Sequence, residues 1–234
     1  MPPTHLIDEL TGLAFPPETT TFLRALRDNN DRAWFDDHRD EYRAAYVDPA
    51  KAFVTAAGLA LERIAPGINA ESRILGSIFR INRETRFSKD KRPYKDHLDL
   101  WFWEGERKAA RSGFFLRISP AFVGIGAGAH SFEKDALARY RAGAADPDSG
   151  AQLAQIAEAL ERDGFEIGGE RYVRTPRGMD ADGPAARFLR HGALFVHHDE
   201  PAELATDAER LLPTRASVWT RVASLHRWLV DHVQ

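Results

Sequence analysis

Three neighbouring segments decide the fold, and the first of them reads His97-Leu98-Asp99-Leu100-Trp101-Phe102-Trp103. The other two are Gly113-Phe114-Phe115-Leu116-Arg117-Ile118-Ser119 and Ala121-Phe122-Val123-Gly124-Ile125-Gly126-Ala127. Aromatic and β-branched residues favour strands, and the pair Ser119-Pro120 marks a turn between the last two. Because no helical spacer separates these segments, they predict an antiparallel meander rather than a parallel sheet.

Alternation along the chain assigns faces to the predicted strands. The residues of the first strand that share an apolar face are Leu98, Leu100 and Phe102. A further strand is predicted over 74–82, and there alternation places Arg80 and Asn82 on the same face as Ile78. The sheet is therefore expected to have one apolar face and one polar, aromatic face.

The regions on either side of the meander have helical periodicity. The predicted helices cover residues 20–29, 31–46, 49–64, 131–141, 149–162, 183–191, 201–212 and 219–233, and short strands are predicted at 165–173 and 194–196. This order predicts an α+β fold in which helices cover an antiparallel β-meander, with N-terminal helices, a central sheet and a mixed C-terminal part. No linker-like tract divides the chain, so residues 1–234 are predicted to form a single α+β domain.

Composition excludes several classes of protein. The chain has 234 residues, 43% of them hydrophobic, and no cysteine, which excludes disulfides, thiolate zinc sites and cysteine nucleophiles. The formal net charge of −3 argues against a protein that coats nucleic acid generally. The N-terminal residues lack a targeting pattern and no apolar run approaches membrane-spanning length, so a soluble, cytoplasmic protein without membrane contact is expected. No oligomeric state is predicted.

The segment from Arg80 to Asp96 carries seven Lys/Arg residues against three acids in a chain that is otherwise negative. Arginine offers a planar fork of donors to phosphate or carboxylate, and lysine offers a mobile point charge. The residues predicted to bind an anion are Arg80, Asn82, Arg83, Arg86, Ser88, Lys89, Lys91, Tyr94 and Lys95. The structural alternative is that Glu84, Asp90 and Asp96 pair with these cations and hold the connection onto the body.

Catalysis by this segment stays open. Ser88 beside Lys89 fits an activated nucleophile, and Asp90 or Tyr94 fits a proton carrier, but neither arrangement is diagnostic. The chain has no nucleophile elbow, no Walker A motif and no His-Glu-x-x-His motif. No catalytic residue and no cofactor are predicted.

Glycines and histidines outside the segment offer weaker signals. The run from Gly124 to Ala129 formally matches a dinucleotide-binding fingerprint, and Ser131 is placed to open the next helix. The preceding strand belongs to a hairpin, so the glycines are expected instead to let another backbone or a ligand approach the sheet. His197 and His198 are neighbours on a strand and point to opposite faces, so no metal site is predicted.

Two motifs resemble a known family. They are Asn29-Asn30-x-x-x-Trp34-Phe35 and, after Arg80-x-Asn82-Arg83, the block Arg86-Phe87-Ser88-Lys89-Asp90-Lys91-x-Pro93-Tyr94-Lys95. The chain is similar across nearly its whole length to the uncharacterised family catalogued as domain of unknown function 2461. It departs from that pattern at Glu84, where an Asp is expected, and at Gly183, where a His is expected. The resemblance implies no established activity.

Three classes of function are consistent with these patterns. The first is a protein, enzyme or binder, that holds a small phosphate- or carboxylate-bearing ligand in a cationic pocket on the 80–96 loop. The second is a module that binds single-stranded nucleic acid, because cations interleaved with aromatic residues hold phosphates and stack bases. The third is a non-catalytic scaffold.

Overall fold

The chain forms an α+β fold around a six-stranded antiparallel sheet within residues 13–106, 112–179 and 185–233, which the computed structural model describes. Helices account for 49% of the residues and strands for 20%, which confirms the predicted class. The strands are β1 (Ile68–Asn69), β2 (Leu98–Glu104), β3 (Gly113–Ile118), β4 (Phe122–Ala129), β5 (Glu166–Glu170) and β6 (His191–Pro201).

The helices are distributed on both sides of the meander in the chain. They are α1 (Pro17–Asp28), α2 (Arg32–Asp37), α3 (Arg39–Tyr42), α4 (Asp48–Glu62), α5 (Lys134–Ala145), α6 (Pro147–Arg162) and α7 (Leu211–Val233). A π-helical turn, Arg43–Val47, joins α3 to α4, and two 3-10 segments are Ala186–Arg190 and Ala202–Thr206. Among the described residues, no helix combines the length and the apolarity that crossing a membrane requires.

The strand order is β1-β2-β3-β4-β6-β5. Strands β2, β3 and β4 are neighbours in both chain and sheet, which confirms the predicted meander. Strand β5 pairs antiparallel with β6, with Ile167 opposite Val196 and an irregularity between Gly168 and Glu170. The buried residues of β2 include Leu98, Leu100 and Phe102, as alternation predicts.

The chain divides into two compact units. The first is formed by residues up to Phe102 together with Phe115–Gly124 and Asp199–Ser217, and the second by Trp103–Phe114, Ile125–His198 and the segment from Val218 onward. The single domain over 1–234 stays a prediction.

Helix α1 contributes buried residues to the core of the first unit. Pro17 occupies its first turn, where the fixed φ of proline suits a helix and its missing N–H is not needed. Phe22, Leu23 and Leu26 recur at three- to four-residue spacing and are buried. Asn29 ends the helix by donating its side-chain N–H to the Ala25 carbonyl at 2.9 Å. The predicted start at residue 20 is therefore three residues late.

The core of the second unit is built around the C-terminal part of α7. The inward residues predicted there are all buried, and they are Val222, Leu225, Trp228 and Leu229. The Trp228 indole N–H donates to the Ser149 carbonyl at 2.9 Å, and the Tyr140 hydroxyl donates to the Phe188 carbonyl at 3.0 Å. Each large aromatic ring thus has a partner for its polar atom.

The strand predicted over 74–82 is wrong. Leu75 has a φ of +65°, which breaks an extended backbone, and the Ser77 N–H turns back to the Glu71 carbonyl at 2.9 Å. Within the described residues, the strand-type pairing of this stretch is limited to isolated bridges, such as the one between Ile78 and Leu100. Ile78 and Ile81 are both buried although they are three residues apart, so Arg80, Asn82 and Ile78 do not share a strand face.

Two predicted helices are also wrong. Residues 183 and 184 lie outside the described residues, while 186–190 form a 3-10 segment and β6 starts at His191. Over 201–212, the 3-10 segment Ala202–Thr206 ends before α7. Asp207 separates them, because its carboxylate accepts the N–H groups of Glu209 and Arg210 at 3.2 and 3.0 Å.

Candidate functional site

Residues 80–96, called here the cationic segment, form a loop that is closed at its base by backbone pairing. Asn82 and Tyr94 make an antiparallel bridge, and the Arg83 N–H donates to the Pro93 carbonyl at 2.8 Å. The part between these residues projects from a fixed base.

The base of the loop is anchored to the turn between α1 and α2. The Asn30 side-chain amide brackets the Tyr94 backbone, accepting its N–H at 3.0 Å and donating to its carbonyl at 3.1 Å. The Tyr94 ring stacks on Phe35 with centroids 4.2 Å apart, and Asp31 caps α2 by accepting the Trp34 N–H at 2.9 Å. The two motifs that carried the family resemblance therefore meet in space.

Tyr94 serves as an anchor in this arrangement. The residue is only 6% exposed, and burial raises the pKa of its hydroxyl. A phenol with a raised pKa stays protonated at neutral pH, so the structure disfavours the proton-carrier role considered for Tyr94.

Two of the residues predicted to bind an anion form ion pairs with carboxylates of the same chain. The first of them is Arg83. Its Nη1 lies 2.6 Å from Asp90 Oδ2, and Arg92 binds the same carboxylate at 2.8 Å. Hydrogen bonds from Arg92, then from Arg83, hold the pKa of Asp90 well below its usual range. A carboxylate with so low a pKa is a weak base, which disfavours the proton-carrier role considered for Asp90.

Lys95 is the second paired cation. Its Nζ lies 3.1 Å from Asp99 Oδ2 and 4.9 Å from the centroid of the Phe79 ring. Arg117 Nε donates to Asp99 Oδ1 at 2.7 Å, and His97 Nε2 lies 3.2 Å from Asp99 Oδ2. Asp99 is the centre of a polar cluster that sequence reasoning missed, because Arg117 reaches it from the adjacent strand.

The pKa of Asp99 reports the strength of that cluster. Burial opposes ionisation of the carboxyl, but hydrogen bonds from His97 and Arg117 outweigh it and lower the pKa well below its usual range. The folded state therefore gains stability from ionised Asp99 above the unfolded pKa, and loses it as the pH falls through the acid range.

Replacement of Asp99 by Asn is expected to reduce the free energy of unfolding by about 1–2 kcal/mol at pH 7. The difference from wild type should shrink at about pH 2, because below the ordinary aspartate pKa the unfolded chain takes up a proton at Asp99 and the native state no longer gains the full stability of the ionised carboxylate. Urea unfolding at both pH values measures the effect. Asp37→Asn, on an exposed residue of α2, is the control. A difference that does not change between the two pH values would contradict this assignment.

The remaining cations of the cationic segment face outward. In the part of the chain that the structure describes, four of them make no ion pair with a carboxylate, and they are Arg80, Arg86, Lys89 and Lys91. Lys91 Nζ donates to the Thr85 carbonyl at 3.0 Å. The Arg86 guanidinium lies 5.3 Å from the centroid of the Phe87 ring, and that ring is 88% exposed. Three of these cations and the exposed ring of Phe87 thus lie on the loop beyond its paired base, which Arg80 precedes.

The other predicted ligands are Asn82 and Ser88. Asn82 is exposed at the base of the loop, and Ser88 is half-buried, with its backbone N–H directed to the Thr85 carbonyl at 3.2 Å. The anion-binding prediction thus divides into an anchored, internally paired part and an outward, unpaired part.

A second polar cluster lies in the other unit. Ser112 Oγ lies 2.8 Å from His226 Nδ1, His226 Nε2 lies 3.1 Å from Glu104 Oε1, and Arg227 also binds Glu104. Burial lowers the pKa of His226, so its ring is neutral at pH 7; because a carboxylate only accepts, Nε2 carries the single proton and Nδ1 accepts from Ser112. This is the reverse of a serine hydrolase, where serine meets Nε2, and Ser112 and His226 are at most 1% exposed. We assign the cluster to holding α7 in place.

The glycine run of β4 has a structural role at its end. Gly128 has a φ of +132°, and a Cβ there would lie 2.3 Å from the Leu194 carbonyl oxygen. The close approach of another backbone is therefore the reason for glycine at this position. Helix α5 starts at Lys134, so Ser131 does not open it as predicted.

The paired histidines of β6 make separate contacts. His197 Nε2 lies 3.6 Å from Glu166, and His198 Nδ1 lies 3.3 Å from the Gly164 carbonyl oxygen. Over residues 13–106, 112–179 and 185–233, no group of three or more His, Asp or Glu side chains is placed to hold a metal.

Comparison with known proteins places the chain in a family. The family described as "Conserved hypothetical protein (DUF2461)" matches residues 18–228. The chain belongs to the DUF2461 family. The match confirms the resemblance and includes both the loop anchor and the cationic segment of this DUF2461 protein. No curated protein matches the chain.

Proposed function

We propose that this DUF2461 protein binds a phosphate- or carboxylate-bearing ligand through the outward cations of the cationic segment. The observation that carries the proposal is that four cations make no ion pair among the described residues and that three of them, Arg86, Lys89 and Lys91, lie on a loop whose base is anchored. Arg86, Lys89 and Lys91 are close in sequence, so their like charges repel, and a bound anion relieves that repulsion. We assign no catalytic step to this site. The sequence also predicts a cytoplasmic location, and we propose that location together with the binding function.

The anchored base supports the proposal energetically. Asn30 and the Phe35 ring hold Tyr94, and Asp90 holds Arg83, so the loop needs less ordering when a ligand arrives. The cations that pair with carboxylates thus hold the shape of the loop, and those without an ion pair are proposed to contact the ligand. Arg86 suits bidentate contact with a phosphate or carboxylate, while Lys89 supplies a mobile charge.

Single-stranded nucleic acid is the second candidate ligand, and Phe87 favours it. An aromatic ring that is 88% exposed beside an arginine offers a face on which a base stacks, while neighbouring lysines hold the phosphates. Binding of a small phosphorylated metabolite does not require an exposed aromatic ring.

The double substitution Arg86→Gln/Lys89→Gln is expected to weaken anion binding about tenfold or more, because each lost charge removes a charge-assisted hydrogen bond. Calorimetry with inorganic phosphate and a sugar phosphate, and fluorescence anisotropy with a short single strand, measure the effect. Arg24→Gln/Lys134→Gln removes the same net charge from two exposed sites elsewhere and should bind as wild type does.

The variant Phe87→Ala distinguishes the two ligand classes. It should weaken the single strand alone by about 1–3 kcal/mol if bases stack on the ring, and leave the small phosphates unaffected. Equal affinities for the loop double variant, its charge-matched control and wild type would overturn the proposal, as would the absence of binding by all of the probes.

A further inference from the structure

A cleft of about 600 Å³ lies along the π-helical turn that joins α3 to α4. Its apolar lining includes Val47, Ile74 and the ring of Tyr42, and its cationic lining includes Arg43 and Lys51. A lining that combines apolar side chains with a few charged or polar groups is typical of ligand sites. None of these residues belongs to the cationic segment.

The π-helical turn makes the cleft possible. Hydrogen bonds from i to i+5 widen the backbone over Arg43–Val47, and such turns are rare and frequently found at functional sites. Tyr46 is fully buried within the turn and its hydroxyl lies 3.5 Å from the Phe79 carbonyl oxygen, which fixes the inner side. The cleft lies on the outer side of this turn.

The residue that follows Ile74, which lines the cleft, has a strained backbone. Leu75 follows Ile74 with a φ of +65°, a conformation that is costly for a leucine, and its side chain is 57% exposed. The Leu75 N–H donates to the Ile78 carbonyl at 2.9 Å, which holds the turn. The turn places Ile74 in the cleft wall.

Two donors in the cleft have no partner within the described part of the chain. The Tyr42 hydroxyl makes no hydrogen bond there, and burial raises the pKa of Tyr42 to about 12, so it remains a donor at neutral pH. Arg43 makes no ion pair there. Lys51 lies 3.9 Å from Asp48, and Arg39 is bound by Asp36 at 2.7 Å.

We propose that this cleft binds a small organic anion with an apolar or aromatic body. Arg43 and Lys51 receive the carboxylate or phosphate, the Tyr42 hydroxyl donates to it, and Val47 and Ile74 contact the body. Asp40 and Asp48 also line the cleft, so its cations exceed its acids by one and a ligand of low charge fits.

The test uses 1-naphthyl phosphate. The analogue 1-naphthol lacks the charge, and inorganic phosphate lacks the aromatic group. Calorimetry should show saturable binding of naphthyl phosphate at the cleft, and binding to that site at least about tenfold weaker for both analogues. Arg43→Gln should weaken naphthyl phosphate about tenfold, and Tyr42→Phe should weaken it severalfold without unfolding the protein. Arg24→Gln, an exposed arginine of α1, is the matched control.

Arg86→Gln/Lys89→Gln separates this site from the cationic segment. If naphthyl phosphate binds that variant as tightly as wild type while Arg43→Gln weakens binding, the cleft is the site whether or not the loop binds anions. Unchanged binding by Arg43→Gln, affinity for naphthol equal to that for naphthyl phosphate, or no saturable binding of naphthyl phosphate would each overturn the proposal.

Discussion

Replacement of Glu200 by Gln is expected to destabilise the protein by about 3 kcal/mol, because it leaves a buried guanidinium without its counter-charge. Arg215 is fully buried, and none of its three side-chain nitrogens has a hydrogen-bond partner among the described residues. The Glu200 carboxylate lies 3.9 Å away. Burial lowers the pKa of Arg215 to about 10, although Glu200 opposes the shift, so the arginine is charged at pH 7.

Urea unfolding measures this effect, and the substitution Arg215→Met separates its causes. Methionine retains much of the volume without the charge, so Arg215→Met alone is expected to change stability by less than about 1.5 kcal/mol. When Glu200→Gln is added to Arg215→Met, it should then cost less than about 1 kcal/mol. Glu203→Gln, on an exposed neighbour, should be neutral. A full cost of Glu200→Gln in the double variant would contradict the pairing.

The second large effect is expected for Gly128→Ala, which should cost about 3 kcal/mol or more. The added Cβ would lie 2.3 Å from the Leu194 carbonyl oxygen and 2.5 Å from the Phe195 Cα, both of which are backbone atoms of β6. Relief therefore requires that β4 and β6 separate locally. The φ of +132° adds strain for any residue with a side chain.

Gly164→Ala isolates the steric part of that cost. Gly164 also has a positive φ, +84°, but a Cβ there meets nothing within 4 Å, so only the conformational penalty of about 1 kcal/mol is expected. Thermal and urea unfolding of the two variants should differ by the cost of the clash. Equal destabilisation by Gly128→Ala and Gly164→Ala would show that β6 yields without cost and would contradict the argument.

Only part of the candidate site could be predicted from the sequence. The cationic segment was visible from charge density alone, and the structural alternative to a site proved true for part of it, since Arg83 pairs with Asp90. The cluster at Asp99 was missed because Arg117 lies 18 residues away and reaches Asp99 through strand pairing. The cleft was missed because a helix-period pattern does not reveal a π-helical turn.

The meander and the buried faces of α1 and α7 could be predicted from the amino-acid sequence alone. Those features follow from periodicity, which depends on neighbours two to four residues away. Tertiary structure alone decided which cations are neutralised, why Gly128 must lack a side chain and how Asn30 holds Tyr94 across 64 residues. Ion pairs, steric contacts and caps depend on distance in space, which local sequence patterns do not encode.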